Sequence, residues 1–388
     1  MHVREVWGDG GPEAAAELTR ALADALAGGP AVLPLSSKDP GAKALRDAMK
    51  PAEPIEPDTA VIIATSGSTG DPKGVLLSPK ALTASANATH ARLGGPGHWL
   101  LATPAHYIGG LQVLLRSLLA GTTPAVLHAD GFRADDFADA AAPVLAANGP
   151  RYTALVPTQL TRLLDAGGRG LAAARAFDAI VVGAAATSAA VRERAAEAGV
   201  SIVPAYGMSE TASGCVYDGF PLDGVRVEPD AEHRIRISGD VLAHGYRLRP
   251  DLTADSFADG WFSTSDRGRV HADGRLEVLG RIDDMINTGG VKVPAATVER
   301  ALTAQPGVRE ACVVGLPDAQ WGEAVVALVV AEGTPPDVEI LRRAVRAEAG
   351  AAATPKRITF TAALPLRGPG KIDRTAVREA LLTSEISD

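Results

Sequence analysis

Two cysteines, Cys215 and Cys312, are all that 388 residues contain. That scarcity excludes a disulfide framework and a cysteine-rich metal centre, and makes a reducing compartment the expected one. Basic residues are also in deficit. Lys and Arg number 38 against 46 Asp and Glu, for a formal net charge of -8 and no Lys/Arg stripe. Nucleic acid is therefore not expected as a partner, and any anionic ligand must be held by local donors. Long apolar runs are missing too: the best, Leu111 to Leu119, is short and interrupted by Gln112 and Arg116, so no membrane insertion is expected. Met1 to Gly10 lacks the apolar core of a secretory signal, which makes the cytoplasm the expected location. A hydrophobic content of 46% with 22% charged residues is ordinary for a globular enzyme of two or three domains.

The chain is organised around Thr65 to Val75, Thr-Ser-Gly-Ser-Thr-Gly-Asp-Pro-Lys-Gly-Val, which follows the short apolar strand candidate Ala60 to Ala64. Gly67, Gly70 and Gly74 allow close backbone approach to an anion. Thr65, Ser66, Ser68 and Thr69 supply hydroxyls, and Lys73 a point charge. A polyphosphate suits such a loop. It is not a Walker A loop, because Lys73 is followed by Gly74 and the G-x-x-x-x-G-K-[ST] spacing is absent.

Before the loop, Leu18, Leu22 and Leu26 mark a helix over Glu13 to Ala27, and Ala31 to Leu35 reads as a strand. After it, a strand from Trp99 leads to His106 and the helix Leu111 to Leu119. The strand Tyr152 to Val156 leads to a helix capped by Thr158, and the strand Ala179 to Val182 to Gly183, Ala184 and a helix capped by Ser188. Strand, small-residue turn and helix thus recur three times, the pattern of a mostly parallel α/β sheet. Beyond Val216, short strands between turns predict a barrel-like antiparallel subdomain. The last part, with a helix opened by Pro294 and strands Ala311 to Val314 and Ala324 to Val330, reads as a small α+β domain.

Four further motifs follow the loop in order: Tyr206-Gly207-Met208-Ser209-Glu210-Thr211; Gly260-Trp261-Phe262-Ser263-Thr264-Ser265-Asp266-Arg267-Gly268; Gly280-Arg281-Ile282-Asp283-Asp284 running to Gly289-Gly290; and Pro365 to Arg374, which fits P-x-x-x-x-G-K-x-x-R. Together with the phosphate loop they closely resemble the signature segments of the adenylate-forming superfamily: acyl-CoA synthetases, peptide-synthetase adenylation domains and luciferases. The resemblance implies an N-terminal domain over 1–282, with an abbreviated first part, and a mobile C-terminal domain over 283–388. It implies ATP, Mg²⁺ and coenzyme A as the reaction partners of a small carboxylic acid.

The roles that follow are those the resemblance implies. Tyr206 stacks on adenine, with Gly183, Ala184, Gly207, Met208 and Ser209 beside the nucleotide, and Glu210 holds Mg²⁺. Asp266 accepts from the ribose hydroxyls, a serine at 265 replacing the usual glycine, and Arg281 binds ribose or phosphate oxygen. Asp283 is the hinge, Gly289 and Gly290 approach the pantetheine tunnel, and Lys371 is the catalytic lysine. His106 and Ser213 lie in segments that line the acyl pocket. The few residues after Lys371 disfavour a carrier-linked adenylation domain, and the presence of Lys371, Glu210 and Asp266 disfavours a non-catalytic relative. The run Tyr206 to Val225, with Val156 to Leu160, resembles the short actinobacterial-type 2-succinylbenzoate–CoA ligases of menaquinone synthesis. A promiscuous aryl or fatty acyl-CoA ligase is the alternative, and the sequence leaves open whether the chain pairs as a homodimer.

Overall fold

The computed structural model describes residues 2–66, 72–129, 131–368 and 370–383. Four of the phosphate-loop candidates, Gly67, Ser68, Thr69 and Gly70, lie outside the described residues, and of Ser66 only the backbone is described. The strand before the loop is Val61–Ser66, and the chain returns along Pro72–Leu77 as its antiparallel partner, with Thr65 opposite Lys73. This hairpin sits in a sheet ordered Val3–Gly8, Ala31–Ser36, Val61–Ser66, Pro72–Leu77, Gly245–Tyr246, whose first three strands are parallel. Helix Pro12–Leu26 buries Leu18 and Leu22 against it, as the fourfold spacing predicts. Helix Ala42–Met49 and the Pro-rich segment pack Met49 and Ile55 on the other side.

A seven-stranded sheet carries the three repeats. Its order is Phe220–Pro221, Ser213–Tyr217, Ile202–Met208, Ala179–Val182, Arg151–Leu155, His98–Leu101, Ala125–Val126, parallel from Ile202–Met208 onward. Apolar clusters cover both faces: one includes helices Pro79–Leu93 and Ile108–Leu119, the other Ala134–Leu145 and Pro157–Ala166. Burial on both faces explains why Ala179–Val182 is continuously apolar. Ser188 caps its helix by accepting from the Val191 N–H at 3.3 Å. Thr158 does not: Pro157 takes the first helical position, so Val156 is the N-cap, with its N–H bonded to Gln159 Oε1 at 3.0 Å.

The expected antiparallel subdomain is a five-stranded sheet in which the long strand Trp261–Val270 pairs with Arg234–Ser238, Phe257–Ala258 and Leu276–Arg281. The last part centres on the hairpin Val308–Asp318 and Gly322–Ala331. Helices Ala295–Thr303 and Val338–Ala349 cover one face, and helix Arg374–Thr383 with Leu364 the other. No described helix is long and apolar enough to cross a membrane.

Candidate active site

Lys73 leaves the phosphate hairpin toward Glu210, and its Nζ lies 2.9 Å from Glu210 Oε1. Glu210 is only 7% exposed; it sits in a short 3-10 turn, Ser209–Thr211, where strand Ile202–Met208 ends. The Tyr246 hydroxyl donates to the same Oε1 at 2.9 Å, and the Lys73 ammonium stands 4.6 Å from the Tyr246 ring centre. Burial first, then the Glu210 carboxylate, raises the Tyr246 pKa, so the phenol keeps its proton and acts as donor. A buried carboxylate whose contacts among the described residues converge on one oxygen is a fitting donor for a hard cation.

A second cluster joins the strand end to the antiparallel sheet. The Tyr206 hydroxyl donates to Asp266 Oδ2 at 2.8 Å, and the Asp266 N–H is bonded to Thr264 Oγ1 at 3.0 Å. Burial raises the pKa of Asp266, against the Tyr206 hydrogen bond. Arg281 stands 3.9 Å from Asp266 Oδ1 and 2.6 Å from Asp283 Oδ2. Gly207 cannot be replaced: a Cβ there would lie 2.1 Å from the Ser213 carbonyl oxygen. Ser213 itself has φ 106, a strained value for a residue other than glycine, and Ala184 has φ 70 just beyond Gly183 at the neighbouring strand end.

His106 packs on the Tyr107 ring, centroids 4.2 Å apart, and burial lowers its pKa against the nearby Asp39 charge. Ten residues further on, inside the apolar helix Ile108–Leu119 that begins just after His106, Arg116 is 1% exposed. No carboxylate pairs with it among the described residues. Its guanidinium stands 5.1 Å from the Trp99 ring centre, one Nη is 3.5 Å from the Tyr217 hydroxyl, and Nε has no partner. Around it, Thr89 Oγ1 is 3.1 Å from the Tyr217 hydroxyl, and His90 Nε2, Trp99 Nε1 and Gln112 Oε1 are buried without partners. Burial, then Arg116, pushes the His90 pKa down to about 4. Two links tie this cluster to the Ser213 turn: the Gln112 amide donates to Ala212 O at 2.9 Å, and a Cβ on Gly214 would lie 2.7 Å from the Tyr217 ring.

The segment before Lys371 rests on the large domain. A Cβ on Gly368 would meet the Tyr107 hydroxyl at 3.2 Å, and one on Gly370 would meet Thr158 Oγ1 at 2.9 Å. Lys371 opens the second strand of a small hairpin, Leu366–Arg367 with Lys371–Ile372. The structure thus brings the Lys371 loop to the helix start beside His106. Gly289 and Gly290 lie elsewhere, in the turn between Met285–Thr288 and Val291–Pro294, with the Gly289 N–H bonded to Trp321 O at 2.8 Å. On either side of Asp283, the expected hinge, the Ile282 N–H bonds to Ser265 O at 2.7 Å, whereas Asp284 Oδ2 pairs with Arg374 Nε at 3.0 Å. Arg374 also reaches Glu299 at 2.8 Å and Val313 O at 2.7 Å.

Tyr246 and the Arg116 cluster escape the sequence reading. The signal for Arg116 was present, as a lone charge inside an apolar helix; Tyr246 carried none.

The class to which this arrangement of parallel strand ends and a smaller C-terminal unit belongs is that of the adenylate-forming ligases. Residues 12–244 match the model of the AMP-binding enzyme family and residues 297–371 that of the AMP-binding enzyme C-terminal domain; the chain belongs to this family. A probable 2-succinylbenzoate–CoA ligase of Mycobacterium tuberculosis is 44% identical over 341 residues, 86% of this chain and 88% of that protein. ATP-bound MatB from Rhodopseudomonas palustris shares the fold with a TM-score of 0.82 at 24% identity, over 98% of this chain and 89% of that one. An E. coli MenE variant with bound OSB-AMS gives 0.77 at 25% identity, over 98% and 87%.

Proposed function

We propose that the chain is a 2-succinylbenzoate–CoA ligase of menaquinone biosynthesis, activating the succinyl carboxylate with ATP and transferring the acyl group to coenzyme A. The observation that carries this choice of acid is Arg116. A buried guanidinium without a carboxylate costs several kcal/mol unless a ligand supplies the anion, and the ring carboxylate of 2-succinylbenzoate is such an anion. A ligase for fatty acids or benzoate has no second charge to bury, and an apolar floor would serve it better.

The chemistry needs no enzyme nucleophile. The succinyl carboxylate attacks the α-phosphorus of ATP, a C–O–P bond forms and pyrophosphate leaves; the coenzyme A thiol then attacks the acyl carbon and AMP leaves with its oxygen. Lys371 supplies positive charge between carboxylate and α-phosphate, and Lys73 exchanges Glu210 for polyphosphate oxygens. Glu210 would hold Mg²⁺, which neutralises phosphate charge when bound. Asp266 and Arg281 take the ribose hydroxyls, and Tyr206 faces the adenine. Ile282 is bonded to one domain and Asp284 to the other, which supports a pivot at Asp283 that withdraws Lys371 and brings up Gly289 and Gly290 for the thiol step.

The test is kcat/KM for 2-succinylbenzoate against its analogue lacking the ring carboxylate. A site built around that charge loses orders of magnitude with the analogue; equal turnover overturns the assignment.

A further inference from the structure

Tyr246 is built into the molecule more firmly than a core tyrosine needs. Its strand pairs with the phosphate hairpin, Tyr246 opposite Val75, and its N–H is bonded to Thr253 Oγ1 at 2.9 Å. The next residue, Arg247, is 3% exposed. Its N–H is bonded to Gly74 O at 2.8 Å, and its guanidinium reaches Met49 O, Lys50 O, Glu53 O, Pro54 O and the Glu56 carboxylate. That peg fixes the backbone of Tyr246 relative to the hairpin that carries Lys73. The ring is held on one side by Phe257, centroids 5.7 Å apart, and meets the Lys73 ammonium 4.6 Å from its centre. All this rigidity ends in one hydroxyl aimed at Glu210 Oε1.

Two donors, Lys73 and Tyr246, share that oxygen. Lys73 is the one a polyphosphate would draw away, since both groups compete for the same ammonium. Once it leaves, the Tyr246 hydroxyl is the side-chain hydrogen bond left on the Glu210 carboxylate among the described residues. We propose that Tyr246 is a positioning residue for the adenylation step, holding the Glu210 carboxylate in its metal-ready orientation when Lys73 turns to the nucleotide. The proposal rests on the reading of Glu210 as the residue that holds Mg²⁺.

The experiment measures Mn²⁺ binding by electron paramagnetic resonance, in full-length protein with saturating α,β-methylene ATP, beside a thermal melt of each variant. Tyr246→Phe keeps the ring on Phe257 and under Lys73 and removes the hydroxyl, which donates to Glu210 and lies 3.4 Å from the Lys73 ammonium. The Mn²⁺ concentration at half-saturation should rise about ten- to a hundred-fold, the loss expected of one hydrogen bond to a charged acceptor, with Tm within a degree or so of wild type. Glu210→Gln should shift it at least as far. Should Glu210→Gln raise the half-saturation point and Tyr246→Phe leave it unchanged, the positioning role is overturned while the reading of Glu210 stands. No change with Glu210→Gln overturns that reading, and this proposal with it. A Tyr246→Phe shift that comes with the same fall in Tm as Tyr246→Leu, which also removes the ring, assigns the residue to folding alone and overturns the proposal. Lys73→Met gives a second check: with nucleotide bound, Tyr246 holds Glu210 in either background, so Tyr246→Phe should raise the half-saturation point by a similar factor in both, and a shift that vanishes in the Lys73→Met background shows the hydroxyl acting through Lys73 and overturns the proposal.

Discussion

Replacing Arg116 by methionine removes a buried charge and keeps most of the side-chain volume, so its effects on stability and on activity should have opposite signs. Without substrate, the guanidinium is 1% exposed and has neither a carboxylate partner nor a bond to Nε among the described residues. Its compensation is the Trp99 face at 5.1 Å and a long contact with the Tyr217 hydroxyl at 3.5 Å. A cation on an aromatic face contributes ~0.5–2 kcal/mol, whereas exchanging buried ionic groups for apolar ones of similar volume has stabilised proteins by ~1–4 kcal/mol. The second range is the larger, and Tyr217 keeps its bond to Thr89. The Arg116→Met protein should therefore melt a few degrees higher, at about 2–4 °C per kcal/mol for a domain of this size. Turnover of 2-succinylbenzoate should fall. Losing one partner of a buried charge pair costs ~2–5 kcal/mol, which is about 30- to several-thousand-fold in kcat/KM. The analogue without the ring carboxylate should be turned over as well as by wild type, or better. Pyrophosphate release for both acids, with scanning fluorimetry, measures all three quantities. A variant that melts lower and loses the same factor on both acids would refute the reasoning, because Arg116 would then be a structural residue.

Lys371→Ala should abolish adenylate formation while leaving thioester formation from synthetic acyl-adenylate near wild-type rate; equal loss of both half-reactions removes Lys371 from its proposed role. Asp283→Pro should give the reverse, with acyl-AMP accumulating on the enzyme because a fixed φ blocks the pivot; coenzyme A acylated at the wild-type rate places the hinge elsewhere. His90, buried and next to Arg116, has a pKa of about 4 in the fold against an ordinary 6.5. The unfolded chain therefore binds more protons between those values, and the contribution of His90 is full above about 6.5 and lost as pH falls toward 4. Melting curves of His90→Gln should decline less steeply than wild type across that window; parallel curves contradict the claim.

What the sequence made legible was local. Tyr206 to Thr211, Asp266, Arg281 and the Pro365 to Arg374 run are contiguous segments whose residue order survives without the fold, and the alternation of strand and helix through residues 98–208 follows from apolar spacing. Strand Pro72–Leu77 was missed because Pro-Lys-Gly reads as turn, while its pairing is set by Val61–Ser66 across the hairpin. Thr158 reads as a cap because a hydroxyl at a strand end is the usual signal, but Pro157 starts the helix one residue earlier by fixing φ there. The Arg116 cluster draws its members from Pro79–Leu93, His98–Leu101, Ile108–Leu119 and Ser213–Tyr217. Separated in sequence, they become one environment only when the seven-stranded sheet brings two helices over the same face.

The Arg374 guanidinium stands three residues beyond Lys371 and grips Asp284, the residue next to Asp283. With Glu299 and Val313 O also in its grasp, the hinge end and the lysine end of the small domain are riveted at one point. On the proposed pivot, Lys371 then travels along a single arc of fixed radius, like the tip of a gate on one pin. The same swing that would withdraw Lys371 would carry Gly289 and Gly290 with it, so that lysine and thiol would take turns at one doorway.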